Sequence, residues 1–177
     1  MPGNFKARPT TDFAREGLFN ILANRIDFES LSVLDLFSGT GSIAYEFASR
    51  GAASVHLIEK DIRHISGIRR IVNEIGIDNI KMIHIDVKAY LKTCSVQYDI
   101  VFADPPYELP WLKDIPDLVT QSGIIKEDGF FILEHPKNMN FAGHKLFFEH
   151  RNYGGVNFSF FKPISASLIP EPGFIPL

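Results

Sequence analysis

The stretch Tyr98-Asp99-Ile100-Val101-Phe102-Ala103-Asp104-Pro105-Pro106-Tyr107 decides how the chain is read. Its first six residues are rich in β-branched and aromatic side chains, and the two prolines that follow can neither donate to a sheet ladder nor continue a helix. The pattern predicts a buried strand ending in a stiff loop. An Asp at the carboxyl end of such a strand points into the crevice where open α/β sheets bind their ligands. Consecutive prolines keep the backbone extended, so their carbonyls are expected to face outward unpaired, with the flat ring of Tyr107 beside them. That is a receptor for a planar group carrying an NH2. The Asp104 carboxylate and a proline carbonyl can accept the two amine hydrogens while the tyrosine stacks on the ring. A plain strand-to-helix turn would use the same residues, so the choice rests on a second motif upstream.

That motif is Val33-Leu34-Asp35-Leu36-Phe37, a predicted buried strand, followed by Ser38-Gly39-Thr40-Gly41 and a helix from about Ser42 to Arg50. Glycines at a strand-to-helix turn let a ligand approach the backbone, and the helix N-terminus presents unpaired N–H groups. The spacing is a variant of the dinucleotide fingerprint, with Ala44 in the third glycine position. Asp35 is out of place beside a pyrophosphate, and a carboxylate there suits a cationic head such as an amino-acid ammonium. Glu59 ends the next strand, Val55 to Glu59, about 20 residues on, where an acid grips ribose hydroxyls. Asp86 terminates a third strand, Ile80 to Ile85, within reach of an adenine's exocyclic amine.

The remaining elements follow the same alternation. Thr11 or Asp12 caps a first helix with an apolar stripe running to about Asn24. Asp61 caps another that Gly76 ends near Ile75. A helix over Trp111 to Ser122 precedes a fifth strand over Gly129 to Glu134. Lys145 to His150 and Val156 to Phe161 form an antiparallel closing pair around Asn152-Tyr153-Gly154-Gly155. The predicted architecture is a single doubly wound, Rossmann-like α/β domain. It has a mostly parallel seven-stranded sheet, an antiparallel C-terminal strand pair, and helices on both faces. Residues 1–32 form an N-terminal segment and helix, 33–162 the sheet domain, and 163–177 a Pro-rich tail expected to be disordered.

At 177 residues and 45% hydrophobic, the chain fills one core and not comfortably two. The single cysteine, Cys94, cannot form an internal disulfide, and neither it nor any other residue shows metal-site spacing, so no metal is expected. No apolar run reaches the length of a membrane span, so a soluble, cytoplasmic monomer without membrane contact is expected. A net charge of −3 argues against binding long naked nucleic acid by charge alone. Two local basic clusters remain, Lys6, Arg8, Arg15 and Arg25 near the start, and Lys137, Lys145, Arg151 and Lys162 near the end.

An acid for an ammonium, one for ribose, one for adenine and an amine-receiving clamp are the parts of an S-adenosylmethionine site with its acceptor beside it. The arrangement resembles class I methyltransferases, and Asp104-Pro-Pro-Tyr107 is similar to the motif of those that methylate an exocyclic base amine. Arg8-Pro-Thr-Thr-Asp12 with Arg15-Glu16, Leu18-Phe19-Asn20, Asp35-Leu-Phe-Ser-Gly-Thr-Gly41 with Glu46, Ile58-Glu59-Lys60-Asp61 and Asn73 extend the resemblance to the bacterial 16S ribosomal RNA guanine-N2 methyltransferases of the RsmD family. It spans about Arg8 to Phe161. Family members carry a longer basic segment before Arg-Pro-Thr-Thr-Asp than the seven residues here, so weaker RNA affinity is expected.

The resemblance implies S-adenosylmethionine as cofactor, held by Thr10, Asp35, Phe37, Gly39, Gly41, Glu59, Lys60, Asp86, Val87 and Asp104. It implies acceptor handling by Asp104, Pro105, Pro106 and Tyr107. The expected substrate is a guanine in 16S ribosomal RNA within a small-subunit assembly particle. An adenine-N6 methyltransferase shares the clamp but more often has Asn in its first position. A catalytically silent cofactor-binding module would have no use for an intact Asp104 and Tyr107.

Overall fold

The computed structural model describes residues 11–163. Helix α1 (Asp12–Ala23) starts at Thr11, whose Oγ1 accepts from the Ala14 N–H at 3.3 Å. Of the two caps the sequence allows, Thr11 is the one used. Strand β1 (Ser32–Leu36) ends one residue early because Phe37 turns to φ 60°. Helix α2 (Ser42–Ser49) and strand β2 (Ser54–Glu59) follow. Helix α3 (Ile62–Ile75) has the predicted limits, with the Asp61 carboxylate accepting from the Arg63 N–H at 2.8 Å and Gly76 at φ 68°.

After β3 (Ile80–His84) comes α4 (Val87–Thr93), a short helix the sequence reading misses, and then β4 (Tyr98–Ala103). The expected helix over 111–122 is instead a 3-10 turn, Leu112–Asp114, followed by α5 (Ile115–Gln121). Pro116 lacks an N–H and therefore sits in the first turn of α5 rather than inside a longer helix. Strand β5 (Ile125–His135) begins before Gly129, and its register against β4 shifts between Tyr98 and Ile100. Strand β6 (Phe147–Tyr153) lies later than the expected 145–150, and Gly154-Gly155 join it tightly to β7 (Val156–Phe161).

The seven strands lie in the order β3-β2-β1-β4-β5-β7-β6. β1 to β5 are parallel, and β7 runs antiparallel to both of its neighbours. Alternate residues of each strand separate into two cores, as a pleated sheet covered on both faces requires. Val33, Ile100, Phe102 and Ile132 pack with α1, α2 and α3, while Leu34, Leu36, Val101, Ala103, Phe131 and Leu133 pack with α4 and α5. The doubly wound class read from the sequence is the observed fold.

Helix α1 is fastened to the β6–β7 hairpin. The Tyr153 hydroxyl donates to the Gly17 carbonyl at 3.0 Å, and a Cβ on Gly17 would lie 2.2 Å from the Tyr153 ring. Arg25 forks onto both carboxylate oxygens of Glu149, at 2.5 and 2.9 Å. Arg151 also pairs with Glu149, and Arg15 pairs with Asp12 at 2.8 Å. These three arginines of the basic clusters are therefore partnered by neighbouring acids. No helix among the described residues is long and apolar enough to cross a membrane. Thr10 and the expected tail beyond Pro163 lie outside the described residues.

Candidate active site

The order of the strands reverses between β1 and β4, and in open α/β sheets the ligand crevice opens at the carboxyl ends of such a pair. The two motifs read from the sequence leave the sheet there side by side. From β1 the chain passes through Phe37 at φ 60°, Gly39 at φ 54° and Gly41 at φ 83° into α2. A left-handed Phe is strained, and such strain concentrates where structure serves a ligand. The turn is fixed from three sides. Ser38 N–H donates to the Ile58 carbonyl at 3.1 Å, the Ser38 hydroxyl donates to the Asp35 carbonyl at 2.8 Å, and Gly39 N–H donates to Glu59 at 2.9 Å.

Glu59 is buried, and its other oxygen accepts from the Asp61 N–H at 2.6 Å. The acid expected to grip ribose thus also braces the glycine turn. Carboxylate oxygens have lone pairs to spare, so the two roles are compatible. Asp35 is 2% exposed, and its Oδ2 has no hydrogen-bond partner among the described residues. Burial pushes its carboxyl up to about 8, opposed by hydrogen bonding from Ser38 and the Ala44 backbone and reinforced by the charge of Glu59. At the other end of the sheet Asp99 meets a different fate. It accepts from the Ser32 N–H at 2.8 Å, the Ser32 hydroxyl at 2.7 Å and Lys126 at 2.7 Å, and is spent on structure.

The remaining cofactor candidates lie around this centre. Asp86 is exposed and caps α4 by accepting from the Lys88 and Ala89 N–H groups at 2.9 and 3.3 Å. Val87, the first residue of α4, is buried beside it. Lys60 is exposed, and its carbonyl bonds His84 at 2.9 Å, so only its backbone is fixed. Phe37 contacts Trp111, with ring centroids 5.8 Å apart, and the Lys88 ammonium lies 4.3 Å from the Trp111 ring.

At the end of β4, Asp104 is half-buried, Pro105 buried and Pro106 exposed. The two proline carbonyls are not equivalent, contrary to the sequence expectation. That of Pro106 accepts the Leu109 N–H at 2.9 Å and closes a turn, whereas no described residue donates to that of Pro105. Tyr107 is 37% exposed, and its hydroxyl donates to Glu134 at 3.0 Å. Glu134, near the end of β5 and 2% exposed, is the residue the sequence reading passes over. A signal for it exists. Asp35, Glu59, Asp86 and Asp104 stand at or just past the ends of β1 to β4, and Glu134 completes the series on β5.

An edge carrying a carboxylate from every parallel strand repels phosphate and suits a cation. The orphaned Oδ2 of Asp35 fits an ammonium, and the braced glycine turn leaves the backbone open to a nucleoside-bearing ligand. These residues fit S-adenosylmethionine, whose ammonium and sulfonium are both cationic. The family described as conserved hypothetical protein 95 matches residues 1–162. The chain belongs to the RsmD family of methyltransferases. Among RsmD-family relatives, one of Buchnera aphidicola, named ribosomal RNA small subunit methyltransferase D, is 32% identical over 133 residues, covering 75% of this chain and 67% of that protein. The Escherichia coli protein of the same name is 30% identical over 134 residues, covering 76% and 67%. A solved structure described as a putative methyltransferase from Escherichia coli superposes with a TM-score of 0.78 at 25% identity, over 89% of this chain and 88% of that one.

Proposed function

We propose that this chain methylates the exocyclic N2 amine of a guanine in 16S ribosomal RNA, presented within a small-subunit particle, with S-adenosylmethionine as donor. The observation that carries the reading is the pairing, at one strand crossover, of an orphaned buried carboxylate on Asp35 with the Asp104-Pro-Pro-Tyr107 clamp. The relatives named for small-subunit ribosomal RNA methylation support the substrate class. When bound, S-adenosylmethionine supplies an electrophilic methyl group on a sulfonium.

The chain's own task is the acceptor. A guanine N2 lone pair is delocalised into the ring and is a poor nucleophile. The Asp104 carboxylate and the Pro105 carbonyl accept its two hydrogens, which orients the amine and favours its pyramidal form. Tyr107 offers a ring face for the unstacked base. Methyl transfer from bound S-adenosylmethionine to N2 would leave that nitrogen cationic, and Asp104 or water would take its proton. Asp104 therefore needs position more than basicity.

The test is incubation with methyl-labelled S-adenosylmethionine and small subunits that lack the modification, followed by nucleoside analysis. N2-methylguanosine is the expected product. Recovery of N6-methyladenosine would replace this reading with that of an adenine methyltransferase, and absence of any labelled nucleoside would leave a silent cofactor-binding module.

A further inference from the structure

Glu134 occupies an unusual place for a carboxylate. The last β4–β5 pair is Ala103 with Leu133, so Asp104 and Glu134 stand on the next rung, at the mouth of the crevice. Leu133 packs among the α4 and α5 residues, and the alternation of the strand turns Glu134 to the opposite face. It is nevertheless 2% exposed, and a buried carboxylate persists only where donors satisfy it. One donor is the Tyr107 hydroxyl, 3.0 Å from its Oε1 across 27 residues of sequence.

The pairing has a geometric consequence. Tyr107 sits on an irregular loop, where nothing in regular secondary structure sets its ring. A tyrosine has two side-chain torsions: anchoring the hydroxyl oxygen sets the first, and because a phenolic O–H lies in the plane of its ring, an acceptor in a fixed direction biases the second. Tyr107 stays 37% exposed while its hydroxyl is engaged, which leaves part of the side chain open to a base. We infer that Glu134 is a positioning residue for the acceptor: by accepting the Tyr107 hydroxyl it sets the plane on which the target base stacks, without touching the base itself.

This deepens the proposed reading of Tyr107 as the base platform and rests on it. A tilted platform still binds a base but misdirects its amine, and misplacement by about 1 Å can cost a hundredfold in rate. Glu134→Leu removes the acceptor at similar volume and should lower kcat by about ten- to a hundredfold. KM for the particle and the affinity for S-adenosylhomocysteine should each stay within about threefold, well under the tenfold that 1.4 kcal/mol represents. Glu134→Gln keeps an acceptor oxygen and should restore kcat to within a few-fold of the parent.

Tyr107→Phe keeps the ring without its anchor and should lose as much as Glu134→Leu. The double variant should lose no more than the worse single one, because both remove one interaction. Equal melting temperatures and retained S-adenosylhomocysteine binding identify variants that fold. Ring 13C relaxation of Tyr107 should report greater mobility in Glu134→Leu and not in Glu134→Gln, whatever the substrate proves to be. An additive loss in the double variant, a Gln variant as poor as Leu, or an unchanged ring mobility would each overturn the assignment. Failure of the parent reading shows separately, as a wild-type product other than N2-methylguanosine.

Discussion

Replacing Asp35 by Asn tests the cofactor half of the site most sharply. In the ligand-free protein this carboxyl is pushed up to about 8 by burial, so near neutrality it holds a proton. An ammonium arriving at its orphaned Oδ2 pairs with the ionised form, and binding must expel that proton. Each pH unit below the raised value subtracts about 1.4 kcal/mol from the gain. A charge-assisted hydrogen bond nets about 1.5–3 kcal/mol once formed. At pH 8 the wild type should therefore bind S-adenosylhomocysteine about 5- to 80-fold more tightly than Asp35→Asn. The advantage should shrink to at most about 15-fold at pH 7 and vanish near pH 6. The ligand's own amine titrates identically in both experiments, so the ratio isolates Asp35.

Calorimetry in buffers of different ionisation enthalpy gives both numbers needed, the affinity ratio and the protons released. Near pH 7 the wild type should release close to one proton that the Asn variant does not. Stability supplies a second check with a definite sign. The folded chain keeps a proton that the unfolded chain, at its ordinary 3.8, has lost. Unfolding thus releases a proton, and the contribution of Asp35 to stability falls as pH rises from about 4 to about 8, then levels off. The Asn variant should lack this slope. A wild-type to Asn affinity ratio that stays constant between pH 6 and 8 would refute the reasoning.

Asp104→Ala should abolish methyl transfer while leaving S-adenosylhomocysteine affinity within a few-fold; a parallel loss of cofactor binding, read by calorimetry, would make holding the cofactor, rather than the acceptor amine, the main role of Asp104. Glu59→Ala withdraws the acceptor of the Gly39 and Asp61 N–H groups as well as the expected ribose contact, and should weaken cofactor binding at least about tenfold. An unchanged dissociation constant would exclude the ribose contact and any part of the braced turn in cofactor affinity. Gly17→Ala forces a Cβ against the Tyr153 ring, and overpacking of about 1–3 kcal/mol should lower the melting temperature by several degrees in scanning calorimetry. No shift would mean that α1 docks elsewhere. A small-subunit particle should be methylated far better than deproteinised 16S RNA, because affinity for naked RNA follows the phosphates neutralised and Arg15, Arg25 and Arg151 are already paired. Comparable turnover on the two at physiological salt would remove the particle requirement.

Where the sequence carried a local signal, the fold was legible. Asp61 and Gly76 bound α3 at both ends because a cap and a left-handed glycine are properties of single residues. The strands β1, β2 and β4 are visible because strands covered on both faces carry dense apolar runs, here Val33-Leu34, Leu57-Ile58 and Ile100-Val101-Phe102-Ala103. Helix α4 leaves little trace in the sequence because it spans barely two turns, with only Val87, Tyr90 and Leu91 buried, and because an Asp at a strand end, such as Asp86, suits a ligand as well as the cap it forms here. Strand β6 lies at the sheet edge with its residues largely exposed, so no apolar alternation marked its limits. Counting basic residues near each end could not show that Arg25 and Arg151 converge on one glutamate.

The two halves of the site differed in legibility for a related reason. The cofactor half is written in consecutive residues, since one turn of backbone from Asp35 to Gly41 supplies both its acid and its open amides. The acceptor half is assembled across the sheet. Its platform, Tyr107, depends on Glu134, and only the β4–β5 register places the two together. Sequence separation hides such a pair, yet composition hints at it. In β5 the apolar run Phe130-Phe131-Ile132-Leu133 is broken by Glu134 at the one edge where the four neighbouring parallel strands carry Asp or Glu. Of the acids buried there, Glu59 and Glu134 are met by donors of the chain itself, which leaves the Oδ2 of Asp35 without a partner among the described residues. That one oxygen, rather than the row as a whole, is what suits a cationic group of a ligand.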